Sequence, residues 1–135
     1  MKIFEKITEF AQRFEMRFNV LDDDYLYRTL DFLDEEVLET RLAVNTSNNT
    51  EIIDGCLDVS FVALNLLYKK LRMMEYTHHQ ATELVEVLLM EVADNNLSKE
   101  QDDGSIIVKD GKIQKPEGWE PPKIEAILEA YRFNK

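Results

Sequence analysis

A polar run over residues 45–49 divides two long helical patterns, and it constrains the fold of this chain more than any other feature. Before it, apolar residues recur at three- and four-residue steps: Leu26, Leu30, Leu33 and Val37. After it, residues 52–71 are apolar around most of a helix circumference, which predicts a helix buried between neighbours. The run itself is rich in Asn, Ser and Thr, which favour turns and helix caps. A connection this short permits the two helices to pack antiparallel.

Further helices are predicted on either side of this pair. An apolar and aromatic stripe indicates a helix over about residues 2–18, with these side chains in the core: Ile3, Phe4, Ile7, Phe10, Ala11, Phe14 and Phe18. Acidic residues 22–24 form a loop that leads into the second helix, since acids favour a helix N-terminus. Thr77 and Gln80 have the spacing of a capping box. The helix that they open has a regular apolar face: Ala81, Leu84, Val85, Leu88, Leu89 and Val92.

The last third of the chain has a different pattern. Residues 104–116 alternate around Asp110-Gly111, which predicts a β-hairpin with a two-residue turn. The prolines at 121 and 122 delay the next helix, which we expect over about residues 122–133. The predicted fold is therefore all-α, with four or five helices and a small C-terminal β-hairpin, in a single domain over residues 1–135.

Composition and charge exclude several classes of protein. The net charge of −11 would repel a nucleic acid almost everywhere. The longest apolar run, residues 61–67, is too short to span a bilayer, and the N-terminus lacks the apolar core of a signal peptide. We therefore expect a cytoplasmic protein that binds neither nucleic acid nor membrane. The single cysteine, Cys56, lies in an apolar stretch and is interpreted as a small buried hydrophobe.

Two acidic groups lie among apolar residues on the paired helices. Glu35, Glu36 and Glu39 occupy one arc of the second helix, and Asp54 and Asp58 lie one turn apart on the third, where we expect them to be buried. If the helices pack antiparallel, the two groups face each other. Crowded carboxylates repel and raise their own pKa values, whereas Mg²⁺ or Mn²⁺ binds such oxygens well. The sequence therefore predicts a site for Mg²⁺, with Mn²⁺ as a substitute.

These acids have two other interpretations, a solvated helix surface and a di-iron site. The first group alone could be an ordinary solvated helix face. A di-iron site would require two Glu-x-x-His pairs, but the chain has only the adjacent His78 and His79, which we expect to be an exposed loop pair.

The order of the motifs resembles that of the MazG-like, all-α nucleoside triphosphate pyrophosphohydrolases, particularly short forms similar to phosphoribosyl-ATP pyrophosphohydrolase. The similarity covers about residues 25–123: Glu35-Glu36-x-x-Glu39, the acidic pair, Asn96-x-Ser98-Lys99, and a Gly-Lys-Ile-Gln-Lys-Pro hairpin that leads to Trp119 and two prolines. The resemblance implies Mg²⁺-dependent hydrolysis of a nucleoside triphosphate between the α- and β-phosphates.

The resemblance also implies roles for individual residues. Glu36, Glu39 and Asp58 would hold Mg²⁺, and Glu35 would bind a second ion or position the attacking water. Three lysines would contact phosphates: Lys99, Lys112 and Lys115. Asn96 would hydrogen-bond sugar or phosphate, and the Trp119 ring offers a surface for a base.

Two departures from the family pattern bear on these roles. Gly55 stands where the family commonly has Glu, with Asp54 beside it, and Ala93 and Asp94 stand where similar short forms often carry His and Arg. The alternative function is therefore a helical interaction or regulatory module that kept the scaffold and lost turnover. In either case the apolar third helix favours a homodimer or a homotetramer.

Overall fold

A computed structural model describes residues 2–133, with the exception of the Phe133 side chain. Its elements follow in chain order: α1 (Lys2–Phe10), a π-helical turn (Ala11–Glu15), α2 (Asp23–Asn45), α3 (Asn49–Met73), α4 (His78–Leu97), β1 (Ile107–Lys109), β2 (Lys112–Gln114) and α5 (Ile124–Phe133). Over this range the chain is mostly helical, with a small two-stranded antiparallel sheet. The prediction of an all-α fold with a β-hairpin is confirmed.

The chain forms two compact units. One contains the residues up to Val85, and the other contains the residues from Glu86 onward. In the first unit, α2 packs extensively along α3, and α1 with its π-helical turn also contacts α3. The expectation of one domain over residues 1–135 stays a prediction.

Three helix starts lie where capping residues were predicted. Asp22 and Asn48 each accept a hydrogen bond from the backbone N–H three residues further on, at 2.8 and 3.2 Å. Thr77 and Gln80 bond reciprocally, since each side chain accepts from the other's backbone N–H at 3.1 and 3.0 Å. These bonds satisfy donors that a helix N-terminus leaves without intrahelical partners. The predicted polar turn between α2 and α3 is confirmed.

The predicted hairpin is also confirmed. Asp110 and Gly111 both have positive φ, 53° and 74°, as a two-residue type I′ turn requires. Strand β1 pairs antiparallel with β2, and Val108 lies opposite Ile113. Helix α5 begins only at Ile124, two residues later than predicted, after both prolines have passed.

The prediction of one continuous helix over residues 2–18 is wrong. At Ala11 the chain widens into a π-helical turn, in which the Met16 N–H donates to the Ala11 carbonyl at 2.8 Å. The additional residue in this turn rotates the side chains that follow it. Ile7 and Ala11 are buried as expected, but four other residues of the predicted core stripe are exposed: Ile3 and Phe10 before the turn, and Phe14 and Phe18 within and after it.

The burial of α2 and α3 also differs from the prediction. On α2, Leu30 and Val37 are exposed, and the buried side chains are Tyr25, Thr29 and Ala43. On α3, most buried positions are polar or small: Gly55, Asn65, Tyr68, Lys69 and Leu71. Cys56 is exposed, so its assignment as a buried hydrophobe is wrong. The helices pack through small and polar positions, which leaves apolar side chains in the first half of α3 outside the core.

The apolar face of α4 agrees better with the prediction. Ala81, Leu84, Val85 and Leu88 are buried, whereas Leu89 is exposed. The helix therefore buries the predicted stripe along its first half.

Candidate metal and nucleotide site

Helices α2 and α3 approach each other closely between the two acidic groups. Gly55 is buried, and a Cβ atom added to it would lie 2.2 Å from Thr40 Oγ1. The Thr40 hydroxyl is itself fixed, because it donates to the Glu36 carbonyl oxygen at 2.7 Å. A larger residue at position 55, such as the Glu of the family pattern, would force this contact apart. Gly55 therefore allows α2 and α3 to approach each other closely beside the carboxylates.

Glu36 lies at the centre of the acidic residues. Its Oε2 atom is buried and has no hydrogen-bond partner. Burial raises the pKa of the Glu36 carboxyl, and so do the charges of four neighbouring carboxylates: Glu39, Asp58, Asp54 and Glu35. The structure thus brings all five predicted side chains into one electrostatic neighbourhood across the α2–α3 contact.

The five carboxylates differ in exposure. Glu35, Glu39 and Asp54 are exposed, and Asp58 and Glu36 are half-buried, so the expectation that both aspartates are buried is wrong. Within residues 2–133, no group of three or more His, Cys, Asp or Glu side chains is arranged to hold a metal ion in the present conformation. The carboxylates are close enough to repel one another, but they do not form a finished coordination shell.

A cavity of about 380 Å³ adjoins the acidic group in the first unit. Glu35 and Glu36 line it together with Asn65 and Lys69. Phenyl rings form the apolar part of its wall: Phe10, Phe32 and Phe61. Asn65 is 2% exposed, and its Oδ1 atom has no hydrogen-bond partner. Two buried oxygen atoms without partners, on Glu36 and Asn65, therefore belong to residues that line the same cavity.

Lys69 is a buried cation that the sequence reasoning missed. Its ammonium group pairs with Glu15, donates to Thr29 Oγ1 at 3.2 Å, and lies 4.7 Å from the centroid of the Tyr25 ring. Burial and the Glu15 carboxylate raise the pKa of Tyr25, whose hydroxyl donates to Glu15 at 2.5 Å. The charge of Lys69 is therefore compensated inside the protein.

The sequence does contain a signal for this residue. Polar side chains recur along one stripe of an otherwise apolar helix: Asp54, Asp58, Asn65 and Lys69. The steps of four, seven and four residues keep them on one face of α3. A Lys at the end of such a stripe predicts a buried partner of opposite charge.

Four of the predicted substrate-binding residues lie together in the second unit. The ammonium groups of Lys99 and Lys115 are 5.6 and 5.0 Å from the centroid of the Trp119 ring. Lys99 also donates to Asn96 Oδ1 at 2.9 Å, and the Trp119 indole N–H donates to the Asn95 carbonyl at 3.2 Å. The indole ring is thus held by a hydrogen bond, and two lysine ammonium groups lie close to it. Lys112 lies in the hairpin, opposite Lys109.

The two histidines have different environments. His78 is half-buried in the first turn of α4, with its Nδ1 atom 2.7 Å from the Tyr68 hydroxyl. That hydroxyl also accepts a hydrogen bond from Arg72 Nη1 at 2.8 Å. Burial, followed by the Arg72 charge, lowers the pKa of His78. The expectation of an exposed loop pair is wrong for His78, while His79 is exposed.

Comparison with known proteins gave no match: no family model, curated protein or solved structure aligned significantly with this chain. Among the helices of residues 2–133, none is both long enough and apolar enough to cross a membrane.

Proposed function

We propose that this protein is a Mg²⁺-dependent nucleoside triphosphate pyrophosphohydrolase of the MazG-like type, which acts in the cytoplasm and cleaves between the α- and β-phosphates. The observation that carries this proposal is the environment of Glu36. A buried carboxylate oxygen without a hydrogen-bond partner, surrounded by four other carboxylates, is unfavourable in the metal-free protein. A hard divalent cation would bind these carboxylate oxygens and supply the positive charge that offsets their repulsion.

The five acids have distinct roles in this proposal. Glu36, Glu39, Asp54 and Asp58 hold Mg²⁺, or Mn²⁺ in its place, and Glu35 orients the attacking water. When bound, the metal neutralises phosphate oxygens and lowers the pKa of a coordinated water. Because Glu39 and Asp54 are exposed, their side chains have space to turn toward Glu36. Gly55 keeps the two helices close enough for all four side chains to participate.

The basic residues of the second unit are the proposed phosphate contacts. Lys99, Lys112 and Lys115 act as point charges toward the triphosphate, and Asn96 hydrogen-bonds sugar or phosphate. The position of two ammonium groups beside Trp119 supports the proposal for Lys99 and Lys115, because a pre-positioned lysine loses less conformational freedom on binding.

We further propose that the chain forms a homodimer or a homotetramer through the outer face of α2 and α3. Large apolar side chains are more than half exposed there: Leu38, Leu42, Val44, Ile53 and Leu57. A cavity of about 520 Å³, lined by Val37, Val44 and Val59 among others, lies on the same helix pair. Apolar surface of this extent is typical of an interaction site.

One observation favours the alternative function. Since no finished metal shell is present among the described side chains, the scaffold could serve as a helical interaction module without turnover. Calorimetric titration with Mg²⁺ and Mn²⁺ distinguishes the two functions. The enzyme should bind the metal and lose it in Asp58→Ala, whereas the interaction module should show no binding in either protein.

The activity is tested by a screen of ribo- and deoxynucleoside triphosphates with Mg²⁺ or Mn²⁺. Both products are quantified, pyrophosphate by a coupled assay and the monophosphate by chromatography. Equal amounts of the two products, lost in Asp58→Asn, support the proposal. Release of orthophosphate and a diphosphate would contradict the cleavage position, and the absence of any product would refute the function.

A further inference from the structure

We propose that the cavity between the π-helical turn, α2 and α3 is the nucleobase pocket, and that Asn65 Oδ1 accepts a hydrogen bond from an N–H group of the base. This inference rests on the proposed function, because it assigns the part of the substrate that the metal site does not hold. It places the base against the phenyl rings of the first unit and not against Trp119.

The first support is the state of Asn65. Its side chain is 2% exposed, so bulk water does not solvate it, and its Oδ1 atom has no partner in the protein. Asn65 lines the cavity, and buried polar atoms are nearly always hydrogen-bonded, so the oxygen without a partner on this residue is a sign of a missing donor. An amino or imino group of a nucleobase is such a donor. Since that oxygen is inaccessible in this structure, the side chain must turn to present it to a ligand.

The second support is the shape of the apolar wall. The Phe10 and Phe61 rings meet edge to face, with their centroids 5.2 Å apart, and Phe32 lines the same cavity. Pockets lined by aromatic side chains with a few polar atoms are typical of sites for small, largely apolar ligands, and a nucleobase can meet such rings by stacking or edge to face. A hydrated phosphate group would gain little from contact with these apolar rings.

The third support is the charge of the pocket. Lys69 lines the cavity, but its ammonium group is already paired with Glu15 and bonded to Thr29. Because Glu15 neutralises Lys69, the pair offers no free positive charge to an anionic group. The cavity therefore suits the uncharged part of a nucleotide. Glu35 and Glu36 line the cavity as well. A base in the cavity therefore lies next to the acidic group that is proposed to hold the metal and phosphates.

The test uses the full chain, without metal, titrated with four nucleosides: uridine, cytidine, adenosine and guanosine. Nuclear magnetic resonance follows the side-chain amide of Asn65, and indole fluorescence follows Trp119, the single tryptophan of the chain. We expect at least one nucleoside to shift the Asn65 amide and to leave Trp119 unchanged. Asn65→Leu, which keeps the approximate size and removes the acceptor, should weaken that binding by about tenfold or more.

Ser60→Ala is the matched control, since Ser60 is on the same helix but lines a different cavity. It should bind nucleosides as the unmodified protein does. Asn65→Leu should not lower the melting temperature, because it removes a buried polar atom that has no partner. Thus a loss of nucleoside binding in that variant cannot be attributed to unfolding.

Three results would overturn the pocket: no nucleoside shifts the Asn65 amide, nucleosides change Trp119 alone, or Asn65→Leu binds them with unchanged affinity. The hydrolytic function is judged separately, by pyrophosphate release. Nucleoside binding at Asn65 without any hydrolysis would support the pocket and contradict the enzyme, whereas hydrolysis without an effect at Asn65 would do the reverse.

Discussion

Replacement of Gly55 by alanine tests the close approach of α2 and α3. The new Cβ atom would lie 2.2 Å from Thr40 Oγ1 and 3.0 Å from Thr40 Cβ, both shorter than ordinary van der Waals contact. Relief requires a helix shift or rotation of the Thr40 side chain, which would break its 2.7 Å bond to the Glu36 carbonyl. Such overpacking costs about 1–3 kcal/mol, and the better helix propensity of alanine recovers about 1 kcal/mol. We expect a net destabilisation of up to about 2 kcal/mol.

Thr40→Ala supplies the matched background for this prediction. It removes Oγ1 and Cγ2 but keeps the Cβ atom at 3.0 Å, so Gly55→Ala should cost less there, with a coupling energy between the two sites of up to about 3 kcal/mol. The assay is urea unfolding followed by far-ultraviolet circular dichroism, for the two single variants, the double variant and the unmodified chain. If Gly55→Ala stabilises the protein in both backgrounds, the close approach is absent and the reasoning fails.

Three further predictions follow from other parts of the first unit. Glu36→Gln should raise the free energy of unfolding of the metal-free protein at neutral pH by less than about 1 kcal/mol, since a neutral amide ends a repulsion that solvent partly screens; lower stability in urea would contradict this. The pKa of His78 is lowered in the folded protein, so its contribution to the free energy of unfolding is complete above about pH 6.5 and is lost as the pH falls below that value. His78→Gln should therefore lose less stability than the unmodified chain or His79→Gln between about pH 7.5 and about pH 5.5, and equal losses would refute the assignment. Leu57→Lys should lower the mass measured by light scattering with little change in stability, a prediction that fails if the unmodified chain is already a monomer.

Features that local chemistry specifies could be predicted from the sequence. The Asp110-Gly111 turn requires two positive φ values that few dipeptides adopt, and the capping box of Thr77 and Gln80 uses bonds over three residues. The helical spacing of the acids also predicted that the two acidic groups lie near each other, because residues one turn apart share a helix face and the two helices pack together.

Features that depend on tertiary packing could not be predicted in this way. The apolar spacing of the sequence gives no sign of the π-helical turn at Ala11, and Phe14 and Phe18, in and after that turn, are exposed. Burial of Lys69 depends on Glu15, which is 54 residues earlier in the chain. Gly55 stands where the family pattern commonly has Glu, but its role is set by the space available beside Thr40.

Binding of Mn²⁺ tests most directly whether the carboxylates of α2 and α3 form a cation site. Electron paramagnetic resonance should show that the unmodified chain removes free Mn²⁺ from solution, that Asp58→Asn loses this binding, and that Glu51→Gln, an exposed acid on the same helix, retains it. Unchanged Mn²⁺ binding in Asp58→Asn, or no binding by the unmodified chain, would contradict the metal site and the hydrolytic function proposed for it.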